Sequence, residues 1–223
     1  MQSQIDFYTG PHKGQRSEFS KISKAAGALN ISDQKAISSL KEEINMLREE
    51  MYAHVRLEEK FVHPLLSQRV PGGADKLNED HKIVHKQLDE LLACFEEIKK
   101  KSADFEKVEE LSLEFYRAWS RFTAFYLKHI DYEEENVMPS LWNLCTNDEL
   151  LETFKKILAD QTPKELMNAI KIMFPALNRK ERVMILTAGR AATTPEAFQA
   201  ALKIVEQVLT VEDFTSLKTA LKL

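Results

Sequence analysis

The chain holds little that would interrupt a helix: across 223 residues there are 6 glycines and 7 prolines, and no stretch alternates apolar and polar residues as a half-buried strand does. This scarcity excludes a sandwich or barrel and predicts an all-α protein. Cysteine is almost absent. Cys94 and Cys145 stand alone in sequence, which rules out a thiolate metal knuckle and fits a reducing compartment. No apolar run approaches the roughly 18 residues of a membrane-spanning helix, and the opening MQSQIDFYTG lacks an apolar signal region. Basic residues nowhere cluster more densely than Lys99-Lys100-Lys101, and the net charge is −4. A nucleic-acid or membrane surface is therefore not expected, and the chain reads as cytoplasmic.

A thirteen-residue pattern is present twice. Residues 54–66 read HVRLEEKFVHPLL and residues 129–141 read HIDYEEENVMPSL, with His, Glu, Glu, Val, Pro and Leu at matching offsets. Positions i and i+4 share a helix face, so His54 with Glu58, and His129 with Glu133, can converge on one point. Each copy is preceded by a helix that opens on a histidine. His12-Lys13 is followed by Phe19 and Ile22, and His81-Lys82 by Leu88 and Leu91, at the same offsets. Intervals of 42 and 48 residues between each opening histidine and its HxxxE pair allow one helix up, a turn, and one helix back.

The expected boundaries follow from caps and breakers. The first helix begins near Pro11 and runs to about Leu29; Ser32 and Asp33 cap a second, which should end near Pro64 because proline disfavours helical geometry in the residue before it. Arg69 to Gly73 reads as a turn. A third helix spans about Ala74 to Lys100 and a fourth about Ala103 to Trp142. Beyond residue 145 come short helices, each with a start signal at Thr146, Thr162-Pro163, Asn178, Thr194-Pro195 or Thr210. The expected organisation is a bundle over residues 1–145 and a short-helix extension over 146–223.

At the metal level the sequence offers the imidazoles of His12, His54, His81, His85 and His129 and the carboxylates of Glu58 and Glu133. Neutral imidazole suits iron, zinc, copper and nickel, and carboxylates can bridge two ions about 3.5–4 Å apart. Singly, such histidines would be partly buried hydrogen-bonding residues, and Glu58-Glu59 and Glu133-Glu134-Glu135 solvated charge. Their coincidence in two hairpins favours a dinuclear site. His63 falls outside it: Met138 stands in its place in the second copy, so packing or a hydrogen bond to a ligand is the expected role. Tyr8, Tyr52, Tyr126 and Tyr132 lie near the same level, as gating residues or as packing residues with a hydrogen-bonded tip.

These motifs resemble the hemerythrin-like, or HHE cation-binding, domain over about residues 5–145. The resemblance implies an up-down-up-down four-helix bundle holding two iron ions in an oxo-bridged di-iron centre that binds a small ligand at an open position. It places His12 and His54 on one iron, His81, His85 and His129 on the other, and Glu58 and Glu133 as bridges. Invertebrate oxygen carriers of the family have aspartate five residues after the last histidine, whereas Glu133 follows His129 by four, as in bacterial and regulatory members. That departure argues against reversible oxygen storage. Ferritin-like di-iron proteins need Glu-x-x-His, which is absent here, and the members that repair iron centres carry paired cysteines ahead of the bundle.

The expected function is a non-haem di-iron protein that binds or senses O2, NO or peroxide, or handles iron; a di-iron oxidase or peroxidase is the alternative. No acid/base pair, nucleophile arrangement or phosphate-cradling loop accompanies the motifs. Zinc, manganese or nickel would also be accepted by these ligands as mismetallation. Phe174, Leu177, Val183, Leu186, Phe198, Leu202, Val205 and Leu209 give residues 146–223 an apolar face, suited to packing within the chain or to a protein partner.

Overall fold

The computed structural model describes residues 5–30, 32–100 and 105–223. Among these residues there is no strand. The chain divides into two compact units, and the division falls inside the first helix. One unit comprises Glu18–Leu144; the other joins the described residues up to Ser17 with Cys145–Leu223.

Helix α1 spans Thr9–Gly27. It starts two residues before Pro11 because the Asp6 carboxylate accepts the N–H groups of Tyr8 (2.9 Å) and Thr9 (3.0 Å), which fixes the first turn. Pro11 then lies within that turn, where a missing N–H leaves no hydrogen bond unmade. Asp33 caps α2, Gln34–Leu57, by accepting from Lys35 and Ala36.

Pro64 does not end this helix. After Leu57 the backbone widens into a π-turn, Glu58–Val62, and resumes as α3, His63–Arg69, with the proline in its first turn. The same sequence of events follows α5, Phe105–Tyr132, where a π-turn over Glu133–Val137 leads into α6, Met138–Leu144, ahead of Pro139. In each π-turn the N–H five residues on, of His63 or Met138, reaches the carbonyl of Glu58 or Glu133. The inserted residue lets the chain pass a proline without the clash that would break a regular helix. The expected start of α5 at Ala103 lies outside the described residues. Gly72, at φ 76°, supplies the left-handed residue of the turn before α4, Asp75–Lys100.

Within the unit Glu18–Leu144 the helix pairs run antiparallel. Arg48 of α2 bonds Asp89 of α4 at 3.1 Å and Lys41 pairs with Glu96, so low numbers on one helix meet high numbers on the other. Phe95 packs on Phe115, and His81 on His129, between α4 and α5. The second half of α1 lies on α5 through Phe19, whose ring is 5.1 Å from Tyr126, and through Trp119 Nε1, which donates to Ser23 Oγ at 3.0 Å. Phe19, Phe95, Phe115, Trp119 and Phe122 are essentially buried and fill the bundle below the histidines. Truncating any of these rings to alanine would cost about 3–5 kcal/mol.

The other unit has its own core. Helices α7 (Asn147–Asp160), α8 (Pro163–Ala176), α9 (Arg179–Ala192), α10 (Pro195–Val208) and α11 (Val211–Leu221) are capped by Thr146, Thr162, Asn178, Thr194 and Thr210, a cap every 16 residues. Helix α8 packs on α10, and α9 on α11. Their apolar faces enclose Ile170, Phe174, Leu186, Phe198, Leu202, Val205, Phe214 and Leu217. Buried Arg182 ties three helices together: its Nε donates to the Phe174 carbonyl (3.0 Å) and its guanidinium pairs with Asp213 (3.0 Å). The start of α1 belongs here, with Gly14 seated so closely on the backbone of Ile172 and Met173 that an added Cβ would lie 2.7 Å from Met173 Cα. No helix among the described residues is long and apolar enough to cross a membrane.

Candidate metal centre

The two HxxxE pairs occupy equivalent places, at the ends of α2 and α5 where the helix passes into a π-turn. His54 Nε2 lies 3.0 Å from Glu58 Oε1, and His129 Nε2 lies 3.3 Å from Glu133 Oε1. His81, on α4, stands between the pairs, with Nε2 3.4 Å from Glu58 Oε2 and 3.9 Å from Glu133 Oε1. The side chains of Glu58, His81, His129 and Glu133 are 4% exposed or less. Two carboxylates at that depth would be costly without compensation, and what surrounds them is imidazole.

The outer nitrogens of these rings are also held. His81 Nδ1 faces Glu59 Oε1 at 3.1 Å, His129 Nδ1 faces Asp80 Oδ2 at 3.4 Å, and His63 Nδ1 bonds Asn78 Oδ1 at 2.7 Å. An oxygen behind Nδ1 keeps the proton there and leaves the Nε2 lone pair for an ion, the arrangement common behind metal-bound histidines. Glu59, read from sequence as solvated charge, therefore has a partner, and Asp80 is a site residue that motif spacing does not single out.

Electrostatics in the metal-free protein follow from this crowding. Burial opposes a charge on His54 and His81, yet the adjoining Glu58, with Glu133 beside His81, lifts them to about 9 and about 10. Burial and the nearby Glu58 push Glu133 up to about 8. Burial works in the same direction on Glu58, but His54 and His81 overcome it and hold the carboxyl well below its ordinary range. Burial drops His129 to about 4.

Of the expected ligands, the structure brings His54, Glu58, His81, His129 and Glu133 together. His12 is fully buried on α1, its ring 5.2 Å from Tyr8, in the compact unit that holds the start of that helix. His85 is not gathered with the others: its half-buried ring packs on Tyr52 at 4.3 Å. One turn beyond His81 on α4, it meets α2 through the Tyr52 ring. His63 is gathered instead. Donor atoms of Glu58, His63, His81 and Glu133 all lie within 4.8 Å of one another, and all four residues are buried. Regular helical spacing hides this, because five residues advance about 140° around an α-helix, whereas a π-turn brings residue i+5 back over residue i.

The tyrosines are mostly accounted for by packing. Tyr52 donates its hydroxyl to Asp89 at 2.8 Å, and Tyr132 lies beneath Lys76, whose Nζ is 4.8 Å from the ring centroid. Tyr126 is buried with its ring 5.8 Å from His129.

Sidewise donors, enclosed carboxylates and oxygen-backed imidazoles suit a cation, and comparison with known proteins agrees. The family model described as the hemerythrin HHE cation binding domain matches residues 3–141. Among curated proteins, the F-box/LRR-repeat protein 5 of Xenopus laevis is 25% identical over 156 residues, covering 70% of this chain and 22% of that protein. Its counterpart from Mus musculus is 23% identical over 198 residues, covering 86% and 28%. The chain thus spans about a quarter of the length of these relatives. No solved structure matches it. With the histidine and glutamate pairs in place on an all-helical bundle and the family match extending over most of its length, the chain belongs to the hemerythrin HHE cation-binding domain family.

Proposed function

We propose that this protein holds two iron ions among α2, α4 and α5 and uses them to bind or sense a small oxidising or diatomic ligand such as O2, NO or peroxide, or to handle iron itself. The observation that carries the reading is the position of His81 between two buried glutamates, each with an imidazole of its own. Glu58 and Glu133 would bridge the ions, His54 would complete one side, and His81 and His129 the other. The resemblance to the family assigns His12 to the side of His54. When bound, iron supplies one-electron chemistry and an open coordination position. The chain's own residues fix the ring orientations through Glu59 and Asp80, and Val62, Leu66, Val137 and Leu141, on the segments that follow the two glutamates, are buried. Zinc, manganese and nickel fit the same donors, so the metal is settled by loading rather than by ligand type.

The test is metal content with an ultraviolet-visible spectrum of protein reconstituted with ferrous iron under nitrogen and then exposed to air. About two irons per chain, with charge-transfer bands of a ferric pair appearing in air, support the proposal. Bands that vanish again on removing oxygen indicate ligand storage, and bands that persist indicate oxidation or sensing. A single zinc, or a chain that takes up no iron, sinks it.

A further inference from the structure

Resting on the metal-centre reading above, we infer that His63 is a metal ligand in its own right, taking through Nε2 the place on the second ion that the family resemblance gives to His85. Three observations meet on this residue. His63 is 3% exposed, and its Nε2 is buried without a hydrogen-bond partner. Its other nitrogen is committed, because Asn78 Oδ1 can only accept, and the 2.7 Å contact therefore keeps a proton on Nδ1. That leaves Nε2 as a lone pair with no donor to meet it, inside a wall where an unmade hydrogen bond is costly.

The third observation is position. His63 belongs to the group in which donor atoms of Glu58, His81 and Glu133 lie within 4.8 Å of one another, and its ring stacks on that of His81 at 5.0 Å. The π-turn is what puts it there. Its closing hydrogen bond runs from His63 N–H to the Glu58 carbonyl, so the residue that opens the turn and the residue that follows it project toward the same point. The second copy has the same turn but Met138 at the matching position, so the extra ligand is supplied on one side only. A centre built this way is asymmetric. One ion would gain His63 beside His81 and His129, while His85 stays packed on Tyr52 outside it.

The experiment is a cobalt(II) titration of wild type, His63→Gln and Asn78→Leu, following visible absorption and bound metal per chain. Glutamine keeps an amide able to meet Asn78 but is a poor ligand for the ion. The expected result is two cobalt ions in wild type, a first ion unchanged in His63→Gln, and a second bound about 10–100-fold more weakly with altered d–d bands; Asn78→Leu should weaken the same ion less. A His63→Gln protein that binds both ions with wild-type affinity and spectrum overturns the inference and leaves the two-metal reading standing. Wild type that binds no cobalt or iron overturns both. The proton spectrum of cobalt-loaded wild type gives a readout that needs no change at position 63. A ligating His63 places its Nδ1–H among the paramagnetically shifted resonances, where Asn78→Asp displaces it, and absence of a resonance that responds to Asn78 counts against ligation.

Discussion

Asp80 Oδ2 lies 3.4 Å from His129 Nδ1, and it does so from α4, one residue before His81. The same helix turn therefore presents one inward imidazole and aims its neighbour's carboxylate at the back of another. Glu59 stands to His81 as Asp80 stands to His129, each one residue from a glutamate or histidine of the centre. Replacing Asp80 or Glu59 with the corresponding amide should keep the number of metal ions at saturation but weaken binding by about 10–100-fold, because the imidazole loses the group that fixes its tautomer. Competition against a chelator of known affinity measures this. Equal affinity in wild type and Asp80→Asn would show that the contact does not orient His129.

Glu133 is costly until a cation arrives, whereas His54 and His81 already hold Glu58 ionised. Glu133 is pushed up to about 8 by burial and by Glu58, which means that the metal-free fold resists its charge. Glu133→Gln should therefore raise the melting temperature of metal-free protein while removing half or more of the bound metal, and Glu58→Ala should remove as much metal without the gain. Scanning calorimetry of metal-free samples beside metal analysis of loaded ones separates the two effects. A Glu133→Gln protein that melts lower than wild type without metal would contradict the assignment of a destabilising buried charge.

Proton release should accompany metal binding. His54 at about 9, His81 at about 10 and Glu133 at about 8 all hold protons at pH 7 in the metal-free protein, and each must give one up to ligate. Apparent affinity should rise with pH through this range, and titration calorimetry in buffers of different ionisation enthalpy should show the released protons. Stability of the metal-free form should run the other way. All three folded values exceed the ordinary ones, 4.5 for the carboxyl and 6.5 for the imidazoles, so these three groups hold more protons in the folded protein than in the unfolded chain across that span, while His129, dropped to about 4, works the other way below about 6.5. Their contribution is present in full below those ordinary values and is lost as pH climbs to about 10. Denaturant melts of chelated protein from pH 6 to 10 test it, and a midpoint that climbs over the alkaline half would refute the assigned protonation.

Several of the side chains that the structure gathers were legible in the sequence. The doubled HxxxE pattern placed His54, Glu58, His129 and Glu133, and the parallel between His12-Lys13 and His81-Lys82 placed the two helix starts. What escaped was anything that depends on departure from 3.6 residues per turn. Pro64 signalled a helix end, but the π-turn carries the chain past it, and the same turn moves His63 inward. His85 was expected with the others because i+4 spacing from His81 suits a shared ion, whereas its ring packs on Tyr52. Asp80 and Glu59 carry no signal in spacing, because their partners come from other helices. The caps of α7 to α11 were legible one by one, and their 16-residue recurrence reflects helices of nearly equal length packing alternately on one another.

Truncation after Asn147 tests whether the C-terminal helices are mere cover. Residues 9–17 of α1 pack on α8 and α9, with Gly14 against Ile172 and Met173 and Lys13 paired with Glu181 at 2.5 Å. Removing those helices leaves the first half of α1 without the apolar surface that an isolated helical end requires, so it should fray. His12 lies on that half. If it ligates as the sequence pattern proposes, the truncated protein should lose affinity for the ion shared with His54, while the ion on His81 and His129 is retained. Metal analysis of the truncated chain beside full-length His12→Ala distinguishes the outcomes: matching losses make the extension a brace for a ligand, and full metal in the truncated chain makes it a separate module.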